Sequence, residues 1–350
     1  QHAIYNSRTF RFFISPAKAI EMNRFAVEEN DLIISCSGTV GMVSLIQKND
    51  PKGIISQALL LLRVNPKIVD PVFLNYFFKS QEGYNSIISR SSGSVQVNIS
   101  KRETIESIPI PLPPIDVQKK IAAILSALDE KIATNRAIND NLQQQAAALF
   151  SSLYDRSNTE VRFTDLIQIL GGGTPKTGEN TYWNGNIAFF TPKDVGTPYT
   201  LITEKTISKE GLSHCNSRLY PVNTVFVTAR GTVGKVGMSG VPMAMNQSCY
   251  ALVGKETHQL LVYFYTLKAV DRLKHKASGA VFDAITTRDF ESEQIMKLSD
   301  DDATAFLRVA EPMFQEVLNN NIENLRLSTL RDSLLPKLMS GEIDVSAVQL

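Results

Sequence analysis

From Ile121 onward the apolar residues recur at alternating steps of four and three: Ile121, Leu125, Leu128 and Ile132, then Asn135 and Asn139, then Leu142, Ala146, Leu149 and Leu153. Such spacing keeps one stripe on one side of an α-helix, as in the seam of a coiled coil. Shifted by 185 positions, the same frame returns as Phe306, Ala310, Met313 and Val317, then Asn320 and Asn324, then Leu327, Arg331, Leu334 and Leu338. The two amides take the same seam positions both times. A helix of roughly 35–40 residues is about 50–60 Å long, and an apolar stripe of that length needs a partner. Two such helices in one chain can pair antiparallel about a pseudo-twofold axis. That pairing would set Asn135 against Asn324 and Asn139 against Asn320. Buried amides that satisfy each other fix register at some cost in stability; the alternative is that they face solvent on slightly supertwisted helices. The expected seam centre is Leu128, Ile132, Asn135, Asn139 and Leu142 on one helix, and Met313, Val317, Asn320, Asn324 and Leu327 on the other. Pro312 is expected to kink the second helix or delay its start.

The segments before the two helices also repeat. Asn30-Asp31-Leu32-Ile33-Ile34-Ser35-Cys36-Ser37-Gly38-Thr39-Val40-Gly41 is echoed 193 positions later by Asn223-Thr224-Val225-Phe226-Val227-Thr228-Ala229-Arg230-Gly231-Thr232-Val233-Gly234. Each text predicts a strand, a glycine turn and a second strand. Ser92-Gly93-Ser94-Val95 is echoed by Ser278-Gly279-Ala280-Val281. Between these markers, Asp70-Pro71 opens a helical run through Phe73, Leu74, Phe77 and Phe78, answered by Leu260, Leu261, Phe264 and Leu267. Residues 1–110 and 161–297 therefore read as two copies of one mixed module. The first copy is expected to be incomplete at its front, since the chain begins at Gln1 and only 37 residues precede Gly38. Ile108-Pro109-Ile110-Pro111-Leu112-Pro113-Pro114 is an extended arm feeding the first long helix. Asp116 is its first-turn acid, and Gly341 ends the second helix.

Charge adds a direction to this plan. The whole chain carries net +1, but residues 1–114 hold 12 basic and 9 acidic side chains and residues 161–297 hold 15 and 11. The helical segments 115–160 and 298–350 are net −1 and −5. Two mildly basic modules thus alternate with two acidic helices. With 43% hydrophobic and 20% charged residues, the chain can build sizeable cores. No apolar run is long enough to cross a membrane. Cys36, Cys215 and Cys249 are far apart and show no zinc or disulfide spacing, which fits a reducing cytoplasm.

Catalytic patterns are missing. There is no phosphate-binding loop with its lysine and no Gly-x-Ser-x-Gly elbow. The Asn/Asp-Pro-Pro-aromatic signature of adenine methylation is also absent, because Pro113-Pro114 follows Leu112. Gly231, Gly234 and Gly237 lead into a further strand-like run, so a hairpin turn is the better reading than a nucleotide site. Three polar loops suggest a nucleic-acid surface instead. They are Gly171 to Thr177, with Thr174, Lys176 and Thr177; Arg230 to Lys235, with Thr232 between; and Arg90 to Gln96, with Ser91 and Ser94. Small donors and backbone N–H groups suit phosphates, while Arg, Lys and Gln can reach base edges. Ser37, Thr39, Lys193 and Ser278 complete the candidate DNA-binding set.

Ile108 to Leu125 resembles the central conserved segment of the specificity subunits of Type I restriction–modification enzymes. Leu334-Leu335-Pro336-Lys337-Leu338-Met339-Ser340-Gly341-Glu342-Ile343 resembles their carboxy-terminal conserved segment. Gly172-Gly173-Thr174-Pro175, with Tyr182-Trp183 soon after, is similar to the opening of a target recognition domain; the first module lacks such an opening. The resemblance covers essentially the whole chain. It implies an α+β fold with two mixed α/β target recognition domains separated by two long antiparallel coiled-coil helices, in a pseudo-twofold repeat. The expected layout is a first recognition domain over 1–110, a conserved spacer helix over 111–156, a second recognition domain over 157–298, and a second spacer helix with the tail over 299–350. It further implies a non-catalytic subunit that reads a bipartite site on double-stranded DNA and docks two modification (methyltransferase) subunits. S-adenosylmethionine and ATP belong to partner subunits, the latter to restriction (translocase/nuclease) subunits; the chain itself is expected to hold no cofactor and no metal. Two other classes compete: a nucleotide-binding enzyme built on Gly231 to Gly237, and a coiled-coil assembly protein whose modules bind protein.

Overall fold

A computed structural model describes residues 12–90, 102–196, 198–276 and 284–348. The chain divides into two compact units, residues 1–132 with 326–350 and residues 133–325.

In the first unit, α1 (Pro16–Glu21) precedes three strands, β1 (Leu32–Ser35), β2 (Val43–Leu45) and β3 (Leu59–Leu62), with β1 in the middle and antiparallel to both neighbours. Two short helices follow, α2 (Pro71–Lys79) and α3 (Gln81–Ile88). Asp70 caps α2 by accepting the Phe73 N–H at 2.8 Å, and Pro71 stands where a helix needs no donor. Phe73, Leu74, Phe77 and Phe78 are all buried. After α4 (Arg102–Glu106), the proline arm enters α5 (Ile115–Tyr154). The buried Gln118 pins that arm. It accepts the Asp70 N–H at 2.9 Å and donates to the carbonyls of Ile68 and Pro113 at 3.1 and 2.8 Å.

The second unit is larger. Its chain runs β4 (Thr159–Arg162), α6 (Phe163–Leu166), β5 (Ile167–Gly171), β6 (Trp183–Phe190), β7 (Tyr199–Thr200), β8 (Lys205–Ile207) and α7 (Lys209–Ser213). It continues with β9 (Val225–Thr228), β10 (Val236–Ser239), β11 (Met243–Met245), β12 (Cys249–Gly254), α8 (Gln259–Lys276), α9 (Thr287–Ser292), β13 (Gln294–Lys297) and α10 (Asp300–Ser340). The main sheet has the order β5-β12-β9-β10-β7; β11-β6-β8 and β13-β4 form two smaller sheets.

The sequence repeat is a structural repeat. β1 and β2, like β9 and β10, are antiparallel neighbours joined by the glycine turns. Ser35 and Thr228 perform the same task. Each hydroxyl donates to the carbonyl of the second turn residue, Thr39 or Thr232, and accepts an N–H at 2.9 Å, from Met42 or Lys235. Gly38, Gly41, Gly231 and Gly234 all have φ between 73° and 82°, the left-handed region that side chains disfavour. Asn30 and Asn223, just before each first strand, also share a positive φ, 71° and 70°. The Gly231–Gly237 stretch is thus a β-hairpin, and no helix N-terminus follows it.

Within each unit α5 and α10 run antiparallel. In the first, Ile121 and Leu125 share a core with Leu338 and Met339. In the second, Phe150 meets Phe306 edge-on at 5.5 Å and stacks on Phe264 at 4.9 Å, inside a core that includes Tyr265 and Phe314. Each buried Phe contributes about 1.5–3 kcal/mol of transfer free energy, so this aromatic cluster anchors the helix pair to the sheet. Pro312 does not delay α10, one of the two effects expected from sequence: the helix starts at Asp300 and continues through it. Pro312 is exposed, as is Arg308 four residues earlier, whose carbonyl loses its helical partner. Water can replace that bond there, which keeps the helix intact.

Candidate nucleic-acid interface

Four loops of the second unit converge. The loop after β5 begins with Gly172-Gly173, and both glycines are required by contact. A Cβ on Gly172 would stand 2.2 Å from the Asn246 carbonyl oxygen, and one on Gly173 2.6 Å from the Asn216 nitrogen. The Gly173 N–H donates to the Met245 carbonyl at 3.1 Å, and Thr174 donates its hydroxyl to the Gln247 side-chain carbonyl. Trp183 closes the loop from the other end by donating its Nε1–H to the Lys176 carbonyl at 3.1 Å. Lys176 and Thr177 are left exposed. The segment after β6 is fixed by Asp194, whose carboxylate accepts from the Thr191 N–H and hydroxyl at 2.8 and 2.6 Å and from the Glu204 N–H at 2.7 Å. Thr232 of the hairpin donates to the Pro192 carbonyl at 3.3 Å, which joins the turn to this segment.

Arg230 leaves β9 from a backbone held on both sides. The Ala229 and Arg230 N–H groups donate to the Ser248 carbonyl at 2.8 and 3.3 Å, and Ile285 donates to the Ala229 carbonyl at 2.9 Å. Its side chain is exposed and has no carboxylate partner among the described residues. A notch of 360 Å³ opens beside it, lined by Pro192, Lys193, Glu204, Lys205, Asn246 and Ser248 with Arg230 itself. Lys193 lies 3.6 Å from Glu204 and Lys205 lies over the Trp183 ring at 5.6 Å. Lys235 is exposed at the end of the turn. Under this surface the Cys249 thiol is pushed up to about 12, by burial first and the Asp194 carboxylate second, so it is an inert core group. Thr174, Lys193, Arg230 and Thr232, four of the residues singled out from sequence, thus meet in one place. Lys205, Asn246, Gln247 and Ser248 were missed, because they come from the ends of other strands. For three of them the sequence does carry a signal, the polar Asn-Gln-Ser triplet set between the apolar runs of β11 and β12.

In the first unit Ser37 and Thr39 are exposed on the glycine turn, and the turn rests on α3, with the Gly41 Cβ position 3.2 Å from Tyr84 and Ile88. Arg90 follows that helix, is exposed, and donates to the Ser86 carbonyl at 2.9 Å. Ser91, Ser94, Gln96 and Ser278 lie outside the described residues.

The seam residues fall in both units. Leu128 is half-buried, Ile132 buried and Leu327 half-buried in the first. In the second, Asn135 donates to Asn324 at 3.0 Å and to Glu323 at 2.6 Å, and Asn320 donates to Asn139 at 2.9 Å. Asn139 in turn donates to Asn321 at 3.0 Å. Val317 is buried, and Leu142 and Met313 pack partly buried against the same core. Glu323 and Asn321 were not anticipated. They lie one turn or less from the seam and reach in.

Two repeated modules, each presenting exposed polar turns and each joined to a long paired helix, make up a two-part recognition subunit. A family model described as the Type I restriction modification DNA specificity domain matches twice, over residues 9–144 and 156–297, and the chain belongs to that family. It is similar to the Type I restriction enzyme HindI specificity subunit of Haemophilus influenzae, at 24% identity over 83% of this chain and 81% of that protein. It is also similar to the EcoR124I/EcoR124II specificity subunit of Escherichia coli, at 29% identity over 46% of this chain and 43% of that one. The solved structure of the Type I restriction-modification S subunit from M. genitalium superposes with a TM-score of 0.60, covering 90% of this chain and 84% of that one. Sequence identity there is 17%, so this is a likeness of fold. The two long helices, two mixed modules and repeated organisation expected from sequence are the architecture found. No described helix is long and apolar enough to cross a membrane.

Proposed function

We propose that this chain reads a bipartite site on double-stranded DNA, one half with each module, and docks two modification (methyltransferase) subunits along its helices. It does so in the cytoplasm, without chemistry of its own. Partner subunits supply S-adenosylmethionine for adenine methylation, and restriction subunits supply ATP-driven translocation and cleavage. The functional boundaries follow the repeat: recognition over 1–110 and 157–298, spacing and docking over 111–156 and 299–350.

The observation that carries this reading is Arg230. A guanidinium that is exposed, without a carboxylate partner among the described residues, and fixed by three backbone hydrogen bonds beneath it is prepared for an anionic or base-edge ligand. Lys176, Lys193, Thr177 and Lys235 surround or flank it as phosphate-positioning groups, and Thr174 and Thr232, whose hydroxyls are donated inside the fold, hold the loops of this DNA-binding set together. Ser37, Thr39 and Arg90 position phosphates for the first module, with Ser91, Ser94 and Gln96 as further contacts there and Ser278 as a further contact in the second. The test is to methylate plasmid DNA with the chain and its cognate modification subunit and map the modified adenines. One split motif with a constant spacer is expected; methylation without any motif, or none with a competent modification subunit, overturns the reading.

A further inference from the structure

The two modules share more than the glycine turn. In the second, the Asn246-Gln247-Ser248 turn leads into β12, with the Cys249 N–H donating to the Asn246 carbonyl at 3.3 Å and Ser248 accepting the Ala229 N–H at 2.8 Å. In the first, Ser56-Gln57-Ala58 leads into β3, with the Leu59 N–H donating to the Ser56 carbonyl at 3.0 Å and Ala58 accepting the Cys36 N–H at 2.8 Å. Cys36 and Ala229 stand at matching places in the repeated strand–turn–strand text, and Ser35 and Thr228 pair with Leu59 and Cys249 in the two sheets. The same backbone bonds therefore put a glutamine at the same point of both modules. Both glutamines are exposed on the turn directly beside the glycine hairpin. A solvent-facing turn needs no particular side chain, so identical amides at one structural position in two otherwise divergent modules call for a shared task.

We propose that Gln57 and Gln247 are base-reading residues, one for each half of the DNA target. This rests on the DNA-reading function above and names side chains within it. The amide carries a donor and an acceptor, the combination that reads a purine edge. The two differ in what they have left to offer. Gln247 has its carbonyl taken by the Thr174 hydroxyl, and Asn246 has its own taken by the Ser248 N–H at 3.0 Å. With one lone pair of each oxygen already engaged inside the fold, what both amides offer most fully is their N–H donors, next to the guanidinium of Arg230. A surface rich in donors favours the edge that shows two acceptors, guanine O6 and N7, over adenine, whose N6 donor it would oppose. Gln57 has no partner among the described residues, so its donor and acceptor are both free, the set that pairs with adenine N7 and N6.

The experiment selects random-sequence DNA duplexes on the complete complex of chain and modification subunit and sequences the bound pool. It compares the native chain with Gln57→Glu and Gln247→Glu, which keep shape and remove the N–H donors. Each substitution is expected to lower preference at one position on the order of 10- to 100-fold. The position should be a guanine in one half for Gln247→Glu and an adenine in the other half for Gln57→Glu, the remaining half staying unchanged each time. Thermal melting of both variants should match the native chain, since both sites are exposed. Variants that retain the full motif overturn the inference while leaving DNA reading intact. So does a weakening uniform over all sequences, which would mark phosphate contacts. A native complex that enriches no motif overturns the DNA-reading function itself, and this inference with it.

Discussion

Arg331 places a guanidinium nitrogen 2.6 Å from a carboxylate oxygen of Asp129, at a seam position where the companion helix carries Ala146 in the matching frame. The other Asp129 oxygen accepts the Tyr76 hydroxyl at 2.7 Å, so the ion pair also ties the helices to α2. Burial, reinforced by Asp129, pushes the Tyr76 phenol above its ordinary range and keeps it a donor. Arg331→Met should lower stability by about 1–2 kcal/mol, because Asp129 loses its charge partner while partly screened by solvent. Urea midpoints of Arg331→Met, Asp129→Asn and the double variant check this. Strictly additive effects would show that the pair is not coupled.

Replacing Asn135, Asn139, Asn320 and Asn324 together by Leu should raise the melting temperature and loosen the register. The buried Oδ1 of Asn135 has no hydrogen-bond partner among the described residues, so removing the amides takes away an unsatisfied polar atom as well as a specificity device. Calorimetry reads the first effect. Cysteine pairs placed in the native register and one turn away read the second, and cross-linking confined to the native pair would contradict it.

Gly231 and Gly234 share a backbone conformation but not an environment. Ala at 231 would meet only the Pro192 Cβ, at an ordinary contact distance of 4.0 Å, whereas Ala at 234 would bring its Cβ to 2.5 Å from the Lys274 side chain and 3.1 Å from Val270. Gly231→Ala should cost about 1–2 kcal/mol from the left-handed conformation alone, and Gly234→Ala more. Equal losses in denaturant unfolding would mean that α8 yields freely at this contact.

Stability should fall in alkali. Burial pushes the Tyr263 phenol up to about 12 and, with the Asp194 carboxylate, the Cys249 thiol up to about 12. Both groups stay neutral in the folded chain at pH values where the unfolded chain ionises them. The stability they contribute is complete below about pH 9–10, where the unfolded groups titrate, and is lost as pH rises toward 12. Unfolding free energy against pH checks the sign; a flat profile between pH 8 and 11 would speak against buried neutral groups.

Phosphate and base contacts separate by salt. Lys176→Ala and Lys235→Ala should each weaken binding of the assembled methyltransferase to all sequences alike and reduce the salt slope by about one. Arg230→Ala should instead relax preference at one base position, at about 1–3 kcal/mol. Titrations of cognate and scrambled duplexes across a salt series distinguish the two behaviours, and no change from any of the three would move the DNA face elsewhere.

Periodicity carries local information well, which is why the paired helices, the Asn–Asn contacts and the repeated strand–turn–strand hairpins could be read along the chain. Asn135 and Asn324 meet because a heptad frame, once matched to its copy, leaves one antiparallel register that brings the amides face to face. Pro312 did not delay its helix because its cost depends on which side of the helix faces water, a property of packing. The candidate recognition surface was legible only in part for a related reason. Arg230, Thr174 and Lys193 stood in suggestive loops, but nothing in their spacing said that these loops touch. Gln247 gained its meaning from Thr174, 73 positions away, and Gln57 from the bond between the Cys36 N–H and the carbonyl of its neighbour Ala58, which aligns it with its counterpart. Side-chain chemistry is written residue by residue; which donors are spent inside the fold and which remain for a ligand is settled by contacts between distant strands.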